Sequence, residues 1–278
     1  LLPTTVLAVE ASATEASWVF GASGITPDYT DAATGTLTEA FTAANANTDE
    51  TNKVTYVQLN TNVTSSDVSK PFQLNSNKSM VLDLNGKSIT VTCDSGTTYG
   101  IYTYRNSSLT VKGGTITAAG SSSAYGIYAY ASDVTLNDTP AISGTTADIL
   151  LTASNYKVVL GDNMDKPAVA YRIKSNSSYN HVFTSGAAAC DIDSSNFSDY
   201  FVSAEDTKEI IFDSGELKLV NKPYVWFNTG SGTTIDQICL PYGGTATQPD
   251  DPTWGGYTFA GWYADNAYTS EFDFGRPI

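Results

Sequence analysis

Apolar residues in this chain recur in three series that share one long period, and few folds can satisfy such a pattern. Alternating pairs occur at Val57/Leu59, Leu82/Leu84, Leu109/Val111, Val134/Leu136 and Val158/Leu160, in steps of 25, 27, 25 and 24 residues. A second series, Val63, Ile89, Ile116, Ile142 and Val169, advances by 26, 27, 26 and 27, and a third, Ile101, Ile127, Ile149 and Ile173, by 26, 22 and 24. A β-sandwich would not keep three series in phase. A right-handed parallel β-helix does, because each coil gives one short strand to each face and its inward residues stack on those of neighbouring coils about 4.8 Å away. Residues between the ladder members then point to solvent. Asn60, Asn85 and Asn137 follow the first series, which predicts a stacked amide ladder at a turn.

Ahead of the first coil, Thr36-Leu37-Thr38-Glu39 is a capping box, and Leu37, Ala40, Phe41 and Ala44 follow the spacing of an amphipathic helix. Such a helix can close the open end of a coil stack, where strand edges and core are otherwise exposed. Residues 1–34 are set apart as an export or leader-like segment, since Leu1 to Ala13 ends in Ala-Ser-Ala like the tail of a signal peptide. An ordinary N-terminal extension is the alternative. Residues 35–222 are assigned to the β-helix. From Ile192 onward the register weakens, with Ile210/Phe212 and Leu217/Leu219 as further strand candidates.

Composition narrows the partners. Asp and Glu outnumber Lys and Arg by 29 to 14, for a net charge of −15, so nucleic acid and anionic membrane surfaces are disfavoured. No apolar run approaches the roughly 18 residues of a membrane span. Cys93, Cys190 and Cys239 match no metal-ligand spacing and are expected to be isolated thiols.

The stretches Gly35-Thr36-Leu37-Thr38-Glu39-Ala40-Phe41, Val54-Thr55-Tyr56-Val57-Gln58-Leu59 and Val81-Leu82-Asp83-Leu84-Asn85-Gly86-Lys87 resemble the opening of pectate-lyase-like β-helix domains of bacterial surface proteins. After Pro223 the composition changes. Val225-Trp226-Phe227-Asn228, Tyr242-Gly243-Gly244-Thr245 and above all Gly256-Tyr257-Thr258-Phe259-Ala260-Gly261-Trp262-Tyr263 are similar to the Listeria-Bacteroides repeat, the internalin-type B repeat. That resemblance implies a small β-grasp-like module over 223–278, of a kind arrayed in tandem on Gram-positive surface proteins. Tyr257, Phe259 and Gly261 would alternate along a strand, with Trp262 in the core. The family's usual last strand does not precede Pro277-Ile278, so an incomplete repeat within a longer protein is expected.

Pectate-lyase-like folds host enzymes, so a catalytic set in the expected order would mark one. Arg172-Ile173-Lys174 resembles the Arg-x-Lys element of polygalacturonases, but the Asn-Thr-Asp, Asp-Asp and Gly-His-Gly motifs that should precede it are missing. The third series makes Ile173 inward and its two basic neighbours outward. His181 has no Ser, Cys or carboxylate at a recognisable spacing; Asp191 and Asp193 on one strand face, and Asp162 with Asp165 in a turn, are weak candidates for calcium. No catalytic set, metal or cofactor is expected. The remaining candidate is Tyr99-Gly100-Ile101-Tyr102-Thr103-Tyr104, echoed by Tyr125-Gly126-Ile127-Tyr128-Ala129-Tyr130. With Ile101 and Ile127 inward, Tyr102, Tyr104, Tyr128 and Tyr130 form an outward aromatic platform. It could stack on sugars or anchor a host or cell-surface protein, or could simply stabilise adjacent strands. The sequence therefore predicts a non-catalytic extracellular or surface-associated protein, adhesin-like or spacer-like, with a polysaccharide lyase or hydrolase and a purely structural stalk as alternatives.

Overall fold

The computed structural model describes residues 14–66, 70–161, 163–177, 180–230 and 233–278. The leader-like residues 1–13 lie outside them. Three parallel faces wind as a β-helix. The first carries Val54–Leu59, Ser79–Asp83, Ser108–Lys112, Asp133–Asn137, Val158–Leu160 and Thr184–Ser185; the second carries Val63–Ser66, Ser88–Cys93, Thr115–Gly120 and Ala141–Gly144. On the third lie Gln73–Leu74, Thr97–Thr103, Ser123–Ala129, Ala147–Leu151, Tyr171–Ser175 and Phe201–Ser203.

Register confirms the stacking and corrects its details. On the second face Val63, Ile89, Ile116 and Ile142 pair in order. On the third, Ile101, Ile127, Ile149 and Ile173 do the same, all fully buried. Each such side chain contributes about 1.5–3 kcal/mol by leaving water. On the first face, Leu82 pairs with Val111 rather than Leu109, which sits under Met80. A slip of two residues preserves the inward face, so apolar periodicity does not reveal it. The extra residues are absorbed at Asn85-Gly86, where both φ angles are positive and Lys87 N–H donates to the Leu84 carbonyl at 2.7 Å.

Two further expectations fail. Val169 is 79% exposed and leaves the second series, where the sheet ends at Ala141–Gly144; the nearby Met164 enters the core instead. The asparagine ladder does not form. Asn60 donates to the Ser17 hydroxyl and Asn85, displaced into its turn, to the Leu59 carbonyl, while the Asn137 Oδ1 is buried without a partner.

The expected helix is Leu37–Ala46, with the capping box between Thr36 and Glu39 formed and Leu37, Ala40, Phe41 and Ala44 buried. Phe41 meets Phe72 of the first coil at 5.7 Å between ring centres. Asn45 also bonds to that coil, donating to the Gln73 carbonyl and accepting from Asn75 N–H. The segment before the helix is structural in its second half: Ala16–Gly21 pairs antiparallel with Val54–Leu59, and Ala33–Gly35 pairs with Ala16–Gly21. These antiparallel strands cover the first edge of the parallel sheet, which would otherwise present unpaired backbone groups. At the far end, His181–Val182, Lys208–Asp213 and Glu216–Asn221 form an antiparallel cap.

Residues 224–278 differ from the β-grasp-like expectation. Among the described residues they hold one short antiparallel pair, Tyr224–Val225 with Ile238–Cys239, and an isolated bridge between Tyr263 and Glu271. Tyr257 to Trp262 do not form a strand, and Gly261 has φ +134°. Val225, Leu240 and Ala246 make a small core with Phe227, Ile238, Phe272 and Phe274 around it. Trp262 is half-buried, edge-on to Phe227 and Phe259.

Candidate binding face

The tyrosine motif works because its glycines break the alternation of the third face. Pairing between Thr97–Thr103 and Ser123–Ala129 skips Gly100 and Gly126, so Tyr99 and Tyr102, three residues apart, both project outward. No larger residue fits there. A Cβ on Gly126 would lie 2.8 Å from the Asp148 carbonyl oxygen, and one on Gly100 would collide with the Gly126 carbonyl.

Coil-to-coil stacking then pairs the rings. Tyr102 lies on Tyr128 at 4.9 Å and 9°, Tyr104 on Tyr130 at 5.0 Å and 17°, and Tyr99 on Tyr125 at 6.2 Å and 20°. The four tyrosines of the expected platform are brought together but are unequally accessible. Tyr102 is only 6% exposed, with the Lys70 ammonium 4.2 Å from its ring centre; Tyr128 and Tyr130 are half-buried and Tyr104 is exposed. Burial, helped by neighbouring phenols, pushes the Tyr102 hydroxyl up to about 12, and burial also raises Tyr99 and Tyr128. Below the pair, Tyr125, Ala147 and Leu150 form a small apolar cluster on the same outer face.

Tyr130 and Tyr128 line a groove of about 560 Å³, and exposed Tyr104 stacks on Tyr130 beside it. Arg105 donates to the Tyr130 hydroxyl at 3.1 Å, with its guanidinium 5.4 Å from that ring centre, and the hydrogen bond raises its already high pKa. Across the groove the Tyr156 hydroxyl donates to Asn106 Oδ1 at 3.0 Å, tying together residues 50 apart in sequence. Thr152, Asn155 and Asn176 supply further polar wall. The sequence reading found the rings but not these polar groups. A signal for two of them is their spacing: Asn106 and Asn155 lie 49 residues apart, two coils.

The other candidates have structural partners. Arg172 is anchored to Asp148 of the preceding coil, whose carboxylate is 6% exposed. The guanidinium bonds Asp148 Oδ1 at 2.8 Å and the Gly144 carbonyl, while Arg172 N–H reaches Asp148 Oδ2 at 2.8 Å and Gly144 N–H reaches Oδ1 at 3.2 Å. Arg172 is thus more than the solvent-facing neighbour expected of it; Asp148 and Arg172 continue the column begun by Gly100 and Gly126. Lys174 is half-buried beside fully buried Ile173. His181 is 7% exposed on the far cap, its Nε2 3.5 Å from the Ser175 hydroxyl. Asp191 and Asp193 do not share a strand: Asp191 ends a 3-10 turn with φ +55°, and Asp193 accepts from Ser195. Asp162 lies outside the described residues, and Asp165 N–H donates to the Thr139 hydroxyl. Among the described residues no group of three or more His, Cys, Asp or Glu is placed to hold a metal. The three cysteines form no disulfide.

A second concavity, of about 730 Å³, lies among the C-terminal aromatics, with Trp254 stacked on Tyr257 at 4.2 Å.

Residues 224–278 match the Listeria-Bacteroides repeat domain family. A protein of Evansella cellulosilytica described as a candidate membrane protein is 34% identical over 59 residues, a stretch covering 21% of this chain and 9% of that protein. Most of that relative therefore lies outside the similarity. No solved structure matches the chain. A β-helix joined to a Listeria-Bacteroides repeat fits a surface or structural protein. No helix among the described residues is long and apolar enough to cross a membrane.

Proposed function

We propose that this chain is a non-catalytic, adhesin-like segment of an extracellular bacterial surface protein, in which the β-helix is a rigid support presenting a glycan-binding face. The observation that carries this reading is Tyr130, backed by the Tyr104 ring stacked on it, lining a groove walled by Asn106, Asn155, Tyr156 and Asn176. Flat aromatic rings accept the apolar faces of sugar rings, and amides beside them match sugar hydroxyls. The rings are held by two adjacent coils whose strands are paired along their length, so little ordering cost remains at binding. Support for a non-catalytic role comes from Arg172 and His181, one committed to Asp148 and the other packed inside the cap.

On a glycan array the chain is expected to retain a defined subset of sugars, and Tyr104→Ala combined with Tyr130→Ala to abolish that retention. Retention unchanged by the double substitution would remove the face from consideration, and no retention by the unaltered chain would favour a spacer. Antibody against residues 54–203 is expected to label intact cells of the source organism; labelling only after permeabilisation would contradict surface placement.

A further inference from the structure

The groove exists because one turn position changes character between coils. Register places Asn77, Asn106 and Ala131 at equivalent positions: Ser79 pairs with Ser108 and Ser108 with Asp133, and each turn's N–H bonds the next coil, Asn77 to the Arg105 carbonyl and Asn106 to the Ala131 carbonyl. All three are left-handed, with φ +59°, +56° and +51°. Asparagine tolerates that conformation because its short amide can bond locally, whereas alanine pays about 1 kcal/mol or more to adopt it. Asparagine at position 131 would suit the backbone better, yet the register places alanine there, between Asn106 and Asn155 of the adjacent coils. Ala131 thus keeps a disfavoured conformation with a minimal side chain where it lines a polar groove, leaving room there for a ligand.

The electrostatics of the groove limit what that ligand can be. No Asp or Glu lines it, in a chain with 29 acidic residues. Arg105 is its charged group, and among the described residues no carboxylate lies within 4.0 Å of that guanidinium, which is held by Tyr130 instead. Tyr130 offers one hydroxyl oxygen and a ring face, so donors of the guanidinium fork remain open toward the groove. Such a fork matches a planar anion with two oxygens.

We infer that the groove at Ala131 binds a carboxylated sugar, with Arg105 holding the carboxylate, Tyr130 the ring face, and Asn106 and Asn155 the hydroxyls. The inference rests on the glycan-binding reading and adds its charge class and position.

The test is calorimetric titration of the whole chain with a trisaccharide of glucuronic acid units and with its carboxyl-reduced counterpart. The acidic sugar is expected to bind at least about tenfold more tightly than the reduced one, and Arg105→Gln to erase that difference. Ala131→Asn separates binding from folding: it is expected to weaken the acidic sugar at least about tenfold while leaving the melting temperature unchanged or raised. Equal binding of both sugars would overturn the carboxylate assignment and leave the glycan reading standing. Undiminished binding by Ala131→Asn would overturn the location, and binding of neither sugar would overturn the inference, while the glycan array decides the glycan reading separately.

Discussion

The β-helix and the C-terminal repeat both carry dense apolar side chains, but they spend them differently. In the coils, the aliphatic residues of each face lie on those of the next, and Ile101, Ile116, Ile127, Ile149 and Ile173 are completely buried. In residues 224–278, Trp226 is 77% exposed, Tyr257 68% and Tyr268 74%, and among the described residues one short strand pair carries the regular backbone bonding. A coil is stabilised by its neighbours, so a weak local preference repeated in phase becomes a firm structure. The repeat relies instead on a few aromatic contacts, such as Phe227 with Trp262.

This contrast can be broken or sharpened by substitution. Ile127→Ala is expected to cost about 3 kcal/mol in the main urea transition, whereas Phe272→Ala in the repeat leaves that transition's midpoint in place. Equal shifts would mean that the two regions unfold as one. Asp148→Ala leaves Arg172 N–H and Gly144 N–H without their acceptor and removes the ion-pair partner of the Arg172 guanidinium, and is expected to cost about 2 kcal/mol. Arg172→Gln, at the more exposed end of the pair, should cost less in the same measurement. Thr36→Ala removes the helix cap at the start of the stack, with an expected loss of about 1 kcal/mol. The smallest effect concerns the tyrosines. Burial raises the Tyr102 hydroxyl from 10.0 to about 12, so the unfolded chain releases this proton first and the stabilisation present below pH 10 is lost as pH rises through 12. Tyr102→Phe is therefore expected to narrow the drop in melting temperature between pH 9 and pH 11.

The sequence made the coils legible because inward residues repeat at a fixed interval, and all of the third series proved to be stacked. It could not show the slip that sets Leu82 on Val111, since two residues of shift leave the same side chains inward. Val169 misled because it kept the spacing after the second face had ended. At the binding face the paired rings were readable from two copies of one motif, while the burial of Tyr102 beneath Lys70 depends on a side chain 32 residues away with no periodic signature. The polar walls were hidden for a different reason: Arg105, Asn155 and Tyr156 look like ordinary turn residues until adjacent coils bring them together. In the repeat, family resemblance identified the module correctly, but the alternation Tyr257, Phe259, Gly261 did not become a strand.

Amide hydrogen exchange, followed by mass spectrometry on the whole chain, tests most directly whether a firmly stacked support carries a loosely bonded module. The account predicts slow exchange across Val54 to Ser175, including the strands beneath Tyr104 and Tyr130, and fast exchange from Trp226 to Trp262, where few backbone groups are paired. Comparable protection in both regions, or faster exchange in the coils than in the repeat, would contradict it.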